Sequence, residues 1–220
     1  MENLLPVWRR VLVVVAHPDD ESFGLGGVIG RFVDEGAEVH VLCLTAGEAS
    51  TLGAAPGLAR TRALEFEAAA ELLGCRGTAL LGHPDGGLSG RAEQLVADIE
   101  LAVETMKPDG LLVFAVEGGV TGHPDHEAAS RAALAVAADR ALPVVEWGLP
   151  EAVAATLRDE FGGAFVGHTD EALPIVVAVD RSRQVSAAHL HVSQAVPGSV
   201  LWRRLELLAD REHLRLTLPA

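Results

Sequence analysis

Short, continuous apolar runs alternate along this chain with longer segments of helical periodicity. Apolar runs of this kind, rich in β-branched residues, are typical of strands that are buried on both faces of a parallel sheet. They predict strands at residues 11–16, 38–45, 78–81, 111–116, 144–147 and 175–179. The helical segments, some of which end at a glycine or before a proline, predict helices at residues 25–35, 59–73, 91–106, 127–139, 182–193 and 201–208.

This alternation predicts an α/β fold with a parallel sheet and right-handed connections. The 220 residues suit one large domain, and no linker rich in Ser, Pro and Gly divides them. We therefore expect residues 1–220 to form a single domain. The apolar runs are much shorter than the roughly 20 residues of a membrane-spanning helix, so we expect no membrane insertion.

Acidic residues outnumber basic ones, with 31 Asp and Glu against 17 Lys and Arg, and the net charge is −14. This charge opposes nonspecific attraction to nucleic acid or to an anionic membrane, so a small-molecule substrate is expected instead. The two cysteines, Cys43 and Cys75, indicate neither a disulfide framework nor a thiolate metal site. The N-terminal residues show no cleavage site of a signal peptide, and we expect a cytoplasmic protein.

The tripeptide His-Pro-Asp occurs three times, at residues 17–19, 83–85 and 123–125, and each copy follows a predicted strand. The carboxyl ends of parallel strands line the crevice in which an open sheet binds its ligands. All three copies are therefore expected to face one cleft. The second copy fits an ordinary turn equally well, because Pro fixes φ and Asp accepts backbone donors.

The first and third copies carry more titratable groups than a turn requires. The first extends to Asp20 and Glu21, which places one imidazole and three carboxylates directly after a strand, and the third extends to His126. Adjacent carboxylates repel one another unless a cation lies among them, and histidine with carboxylate is a common ligand mixture for catalytic zinc. Two histidines and one carboxylate suffice, because a catalytic zinc takes three protein ligands and leaves a position open for water.

Four glycines that follow the first strand invite comparison with the dinucleotide-binding fingerprint. They are Gly24, Gly26, Gly27 and Gly30. The spacing does not match, because Ile29 occupies the last position of the fingerprint and residues 17–23 separate the glycines from the strand. We interpret these glycines as sites of close packing between the turn and the helix that follows.

Two motifs, AHPDDE at residues 16–21 and GHPDH at residues 122–126, resemble the signature of the LmbE-like, or PIG-L, family of N-acetylglucosamine deacetylases. This family includes deacetylases of the mycothiol and bacillithiol pathways. Weaker similarities extend along most of the chain, namely Arg62 followed by Glu65, Pro-Asp-Gly at residues 84–86 and HVSQ at residues 191–194. The resemblance implies a Rossmann-like fold, with a mostly parallel sheet flanked by helices, and a hydrolase that removes the N-acetyl group of an acetylated amino sugar.

The resemblance also implies a role for individual residues. One Zn²⁺ per chain would be held by His17, Asp20 and His126. Asp19 would act as the general base, while His123 would stabilise the oxyanion or protonate the leaving amine. The substrate would be bound by Arg62 and Asp85.

The chain departs from some members of the family at one position. Those members, including the mycothiol-pathway deacetylase, carry a tyrosine two residues before the first histidine of the second motif, where this chain has Thr121 and no tyrosine elsewhere. Stabilisation of the oxyanion would then depend more on His123, Arg62 or the metal. An amidase acting on another amide, such as a thiol conjugate, and a nonenzymatic metal-dependent binding protein stay open as alternatives. Because members of the family are commonly oligomeric, a homo-oligomer is expected.

Overall fold

The computed structural model describes residues 5–219, and this part of the chain forms one sheet of eight strands with helices on both faces. The strands are β1 (Arg10–Val15), β2 (Glu38–Thr45), β3 (Gly77–His83), β4 (Gly110–Phe114), β5 (Val144–Pro150), β6 (Gly167–His168), β7 (Ile175–Ala178) and β8 (Arg211–Thr217). The helices are α1 (Gly26–Asp34), α2 (Leu58–Leu73), α3 (Ala92–Met106), α4 (Pro124–Asp139), α5 (Glu151–Phe161), α6 (Ser182–Leu190) and α7 (Val200–Leu208).

The centre of the sheet is parallel and follows the order β3-β2-β1-β4-β5. β8 pairs antiparallel with β5, β7 pairs antiparallel with β8, and the short β6 pairs with the end of β5. The chain builds outward from β1 through β2 to β3 and then crosses to β4 on the other side of β1. A crevice opens at such a switch point, at the carboxyl ends of the strands. The predicted α/β fold with a mostly parallel sheet is confirmed.

Strand β1 is buried on both faces, which explains its continuous apolar sequence. Val11, Val13 and Val15 belong to one hydrophobic cluster, and Leu12 and Val14 belong to the cluster on the opposite face. All five side chains are at most 2% exposed. Burial of this extent places the carboxyl end of β1 at a fixed position in the middle of the molecule.

All of the predicted strands and helices are present, with shifts of a few residues at their ends. Helix α4 begins three residues earlier than predicted, at Pro124, because proline suits the first position of a helix and His123 caps it. Helix α6 ends at Leu190, so HVSQ lies beyond it. Helix α5 and strand β8 were not predicted. In β8 only Glu212 and Leu214 are buried, so it lacks the continuous apolar run of the central strands.

None of the helices within residues 5–219 is long and apolar enough to cross a membrane.

The glycines after β1 differ in how much space is left next to their Cα atoms. A Cβ atom added at Gly24 would lie 2.4 Å from ring atoms of Phe114, and one added at Gly27 would lie 2.7 Å from Glu212 Oε1. At Gly30 the only neighbour within 4 Å is Arg183 Nη1, at 3.9 Å. At Gly26 the added Cβ would lie 2.8 Å from Gln184 Cγ. The interpretation as close-packing sites therefore holds for Gly24, Gly26 and Gly27 and is wrong for Gly30.

This contrast gives a test of the packing. We expect Gly24→Ala to lower the free energy of unfolding by about 1–3 kcal/mol, because the methyl group overpacks against the buried ring of Phe114. Gly30→Ala, in an open position of α1, is expected to raise it by up to about 1 kcal/mol, because Ala favours the helix over Gly. Urea unfolding of both variants measures the difference, and equal effects would contradict this account of the packing.

Candidate metal centre

The chain leaves β1 through a strained turn. Asp19 has φ of 127° and ψ of −22°, a conformation that side chains other than glycine seldom adopt, and residues Asp20–Gly24 form one turn of π-helix. The carbonyl of Asp19 accepts the N–H groups of Ser22 and Phe23 at 3.1 and 2.8 Å. Strain of this kind is concentrated at functional sites, where the surrounding structure holds it in place. Here it turns the side chains of Asp19 and Asp20 to different partners.

Three of the predicted residues meet at the carboxyl ends of β1 and β4. His17 Nδ1 lies 3.1 Å from His126 Nε2 and 3.7 Å from Asp20 Oδ2, and His126 Nε2 lies 3.2 Å from Asp20 Oδ1. In a tetrahedral zinc site with bonds of about 2.1 Å, ligand atoms are separated by about 3.4 Å. The three side chains therefore fit a zinc ion. His123 also has a ring nitrogen within 4.8 Å of ligand atoms of His17 and His126.

The ring nitrogens on the far side of both histidines face acceptors. His126 Nδ1 lies 2.9 Å from Thr121 Oγ1 and 3.2 Å from the carbonyl oxygen of Gly119. His17 Nε2 lies 3.1 Å from Asp85 Oδ1 and 3.5 Å from Asp125 Oδ2; both are ion-pair contacts, and neither has the alignment of a hydrogen bond. Histidines that bind metal usually direct their second N–H to such acceptors, which leaves the lone pair of the inner nitrogen for the metal.

The charges around His17 favour a cation. Burial alone would lower the pKa of His17, but the carboxylates of Asp125, Asp85 and Asp20 outweigh burial and raise it to about 10. Burial would raise the pKa of Asp20, but the positive charges of His126 and His17 hold it below its usual range. The site thus stabilises positive charge, which is the electrostatic condition for binding a divalent metal as well as a proton.

The ligand atoms of His17, Asp20 and His126 form a triangle, which we call the metal triangle. Asp19 lies beside it and contacts Arg62. Arg62 Nη2 is 3.2 Å from Asp19 Oδ2 and also donates to the carbonyl of Pro18, while Nη1 donates to the carbonyl of Gly47 at 2.7 Å. The guanidinium is 3% exposed. Burial raises the pKa of Asp19 to about 6, against the charge of Arg62, which lowers it. Arg62 therefore fixes the strained turn and the carboxylate of Asp19 together.

His123 caps helix α4 and lines the same cleft. Its Nδ1 accepts the N–H of Asp125 at 3.2 Å, and the neutral ring then carries its proton on Nε2. Burial and the positive charges of His17 and His126 lower the pKa of His123. The ring is thereby held as a neutral donor.

The histidine and the aspartate of the second His-Pro-Asp copy lie in different surroundings. Asp85 lies in the cleft, where its Oδ2 accepts the N–H of Ala49 at 2.9 Å. His83 instead pairs with Asp98, with 2.7 Å between Nε2 and Oδ2, and it does not line the cleft. The expectation that all three copies face one cleft is right for Asp85 and wrong for His83, because β3 ends at His83 and the chain enters the cleft only after it.

Sequence reasoning gave Asp125 no role, yet its carboxylate is fully buried behind His17. It accepts the N–H groups of Gly86 and Leu88 at 2.7 and 3.0 Å. Asp125 therefore links the second and third copies and places a negative charge behind His17. The sequence feature that could have indicated this role is the repetition of His-Pro-Asp, because Asp125 occupies the same position in its copy as Asp19 and Asp85 do in theirs.

Glu21 is a second supporting residue, and it does not face the metal triangle. Its Oε1 lies 2.6 Å from His191 Nε2 and accepts the hydroxyl of Ser22 at 2.6 Å, while its Oε2 accepts the N–H of Asp19 at 3.0 Å. Glu21 and His191 are both fully buried. Glu21 thus holds the backbone N–H of Asp19 and is itself held by His191. This contact connects the HVSQ segment near the C-terminus with the first motif.

The metal triangle forms the floor of a cleft of about 570 Å³. Its rim is formed by Ala49, Ser50, Thr51, Leu52, Asp85, Gly86, Phe165, Gln194, Val200, Leu201 and Arg204. The segment that carries Ala49–Leu52 is tied to the C-terminal part of the chain, because Ser50 donates its hydroxyl to Gln194 Oε1 at 2.8 Å. The cleft has room for a small substrate whose reacting group reaches the floor.

Comparison with known proteins gives two sequence relatives that are named as deacetylases. A probable N-acetyl-α-D-glucosaminyl L-malate deacetylase 2 of Bacillus cereus is 32% identical over 195 residues, which cover 86% of this chain and 86% of the relative. A 1D-myo-inositol 2-acetamido-2-deoxy-α-D-glucopyranoside deacetylase of Nakamurella multipartita is 29% identical, over 87% of this chain and 82% of the relative. Both relatives are N-deacetylases.

A solved structure has the same fold. The N,N'-diacetylchitobiose deacetylase of Pyrococcus horikoshii superposes with a TM-score of 0.71 at 23% identity, over 96% of this chain and 84% of the other. The model of the PIG-L family, described as GlcNAc-PI de-N-acetylase, matches residues 12–137, a segment that contains every residue of the metal triangle. The chain therefore belongs to the PIG-L, or LmbE-like, family of deacetylases.

Proposed function

We propose that the protein is a zinc-dependent hydrolase that removes the acetyl group from the nitrogen of an N-acetylglucosaminyl conjugate. The observation that carries this proposal is the triangle of His17, Asp20 and His126, whose ligand atoms are separated by 3.1 to 3.7 Å at the floor of an open cleft. A metal held there by three side chains keeps a position free for water and substrate. Membership of the deacetylase family supplies the reaction.

These three residues would hold one zinc ion per chain, and Thr121, Asp85 and Asp125 would orient the two imidazoles from behind. When bound, zinc would lower the pKa of a coordinated water to about 7 and polarise the carbonyl of the amide. Thr121 occupies the position where some relatives carry tyrosine, and its hydroxyl contacts a metal-binding ring. Thr121 thus supports His126 and is not placed to do the work of a tyrosine on the substrate.

Asp19 is the base in this proposal. Its carboxylate lies in the cleft next to the metal triangle, is held by Arg62 and is not among the atoms of that triangle. A carboxylate whose pKa burial raises to about 6 can both accept the proton of the attacking water and return it near neutral pH. Arg62 would keep Asp19 in position as well as bordering the substrate.

His123 acts on the oxygen or nitrogen of the amide. The cap bond to Asp125 holds Nδ1 as an acceptor, so Nε2–H is the donor that the ring presents to the cleft. A fixed donor stabilises the negative charge that develops on the amide oxygen, an effect typically worth about 3 kcal/mol or more in a site that excludes water. The expulsion of the amine requires a proton, which Asp19 can return after taking it from the attacking water, whereas His123 with its lowered pKa would supply one only if its ring were first protonated.

The substrate would be a small N-acetylglucosaminyl conjugate, as it is for the relatives that act on a malate and on an inositol conjugate. Asp85 borders the cleft and has one oxygen directed to the N–H of Ala49, so it would help to shape the sugar site. Residues 1–220 would act as one domain, which is supported by strands from both ends of residues 5–219 pairing in one sheet. Assembly into a homo-oligomer remains part of the proposal.

The first test is an assay for free amine with methyl N-acetyl-α-D-glucosaminide and other N-acetyl sugars. We expect the purified protein to carry about one zinc ion per chain, to release amine and acetate, and to lose this activity on chelation and regain it with zinc. Elemental analysis accompanies the assay. Activity that survives complete removal of zinc would refute the metal mechanism, and hydrolysis of thiol-conjugate amides alone would indicate the amidase.

The two neighbouring aspartates are expected to behave differently. Asp20→Asn should lose zinc, because a neutral amide is a poorer ligand than a carboxylate and does not balance the charge of the cation. Asp19→Asn should keep zinc while turnover falls by roughly 10² to 10⁴-fold, the usual effect of removing a general base. Metal analysis and steady-state kinetics test both variants. Zinc loss in Asp19→Asn together with full zinc content in Asp20→Asn would show that the two roles are reversed.

The role of Asp125 behind His17 can be tested against a matched control. Asp125 pairs with His17 of the first His-Pro-Asp copy, and Asp98 pairs with His83 of the second. Asp125→Asn is expected to weaken zinc binding by about 10 to 100-fold, since it removes a buried charge behind His17. Asp98→Asn, which breaks the pair with His83 outside the cleft, should leave zinc affinity unchanged. Competition with a chromogenic chelator measures both affinities, and equal affinities in the two variants would rule out the role.

A further inference from the structure

Arg204, on helix α7, is a buried cation with no hydrogen-bond or ion-pair partner among residues 5–219. It is 3% exposed and lines the cleft above the metal triangle. An arginine stays protonated in a protein, so this positive charge has lost much of its hydration without gaining an acceptor. A buried charge that is unpaired costs free energy, and such a cost is usually retained where a ligand supplies the missing partner.

The surroundings of Arg204 fix its position without using its donors. The guanidinium carbon lies 5.3 Å from the centre of the Trp147 ring, a cation–π contact. Glu212, a carboxylate whose charge acts on Arg204, is already engaged, because it accepts Trp147 Nε1–H at 2.6 Å and lies 2.5 Å from Arg181 Nη1. The N–H groups of Arg204 are therefore held in place and remain free for a ligand.

Among residues 5–219, the two arginines that line the cleft are Arg62 and Arg204, and their surroundings differ. Arg62 donates to the carbonyls of Pro18 and Gly47 and pairs with Asp19. Its charge is compensated by direct contacts inside the protein. Arg204 feels the charges of Asp20, Glu212 and Asp19 but makes no hydrogen bond or ion pair within residues 5–219. The neighbouring lining residues Val200 and Leu201 are apolar, which strengthens any charge pair formed there.

We propose that Arg204 binds an anionic group, a carboxylate or a phosphate, on the part of the substrate attached to the sugar, and thereby selects anionic N-acetylglucosaminyl conjugates. The proposal rests on the deacetylase function proposed above. N-Acetylglucosamine itself carries no charge, so an anion that reaches Arg204 must belong to the attached group. The planar guanidinium offers two parallel N–H donors, which match the two oxygens of a carboxylate or phosphate.

The test compares substrates that share the sugar and differ in charge, using the zinc-loaded protein. The neutral substrate is methyl N-acetyl-α-D-glucosaminide, and the anionic ones are N-acetyl-α-D-glucosamine 1-phosphate and the carboxymethyl α-glycoside. We expect kcat/KM of the wild type to be about 10-fold or more higher for at least one anionic substrate. The substrate that gains more identifies the anion as phosphate or carboxylate.

The variant is Arg204→Met, which keeps an unbranched side chain against Trp147 and removes the charge. We expect kcat/KM for the preferred anionic substrate to fall about 10 to 100-fold, mainly through KM, while the neutral substrate changes less than about 3-fold. Zinc content should be unchanged. Equal losses on neutral and anionic substrates would overturn the proposal, since they would place Arg204 at the reacting amide or in a structural role.

Thermal unfolding distinguishes a ligand-binding role of Arg204 from a structural one. Because Arg204 makes no ion pair, Arg204→Met should have a Tm equal to or above that of the wild type, whereas a structural arginine would lose several degrees. If the wild type deacetylates neither substrate class, the function proposed above fails. Arg204 is then tested by calorimetric titration of the zinc-loaded proteins with N-acetyl-α-D-glucosamine 1-phosphate. Weaker binding by the variant supports the anion site, and equal or absent binding overturns it.

Discussion

The carboxylates of Asp20, Asp85 and Asp125 surround the imidazole of His17, and much of the local structure depends on that concentration of negative charge. In an apolar interior three carboxylates would repel one another strongly, and a cation among them removes this cost. The raised pKa of His17 shows that a proton can supply the positive charge. In the proposed function, a zinc ion between His17, Asp20 and His126 would supply more of it at the same place.

The parallel sheet makes this concentration of charge feasible. Strand β1 is buried on both faces, so its carboxyl end cannot shift, and the turn that follows is held by the Glu21–His191 pair and by Arg62. Helix α4 starts next to it and supplies His126 from its first turn. Each group of the site is therefore fixed by hydrogen bonds or burial that do not involve the metal. Such preorganisation is what allows a small cleft to bind a metal and place a base beside it.

Two arginines border the cleft and illustrate how environment decides the use of one side-chain type. Arg62 is compensated by backbone carbonyls and a carboxylate, and it acts within the protein. Arg204 lies over Trp147 and makes no hydrogen bond or ion pair within residues 5–219, which is why we propose that a ligand uses its donors. The chain as a whole has a net charge of −14, so an anionic substrate would have to be attracted by local positive charge in the cleft.

The sequence by itself determined the order of strands and helices in the parallel half and predicted the candidate metal triangle, because strands buried on both faces and a doubled His-Pro-Asp motif leave strong local patterns. It did not reveal β8, whose burial alternates, or the separation of His83 from Asp85. Only the tertiary structure placed Asp125 behind His17 and left Arg204 without a partner. Those properties depend on which groups from distant segments are adjacent, and a lone aspartate or arginine in the sequence carries no record of its neighbours.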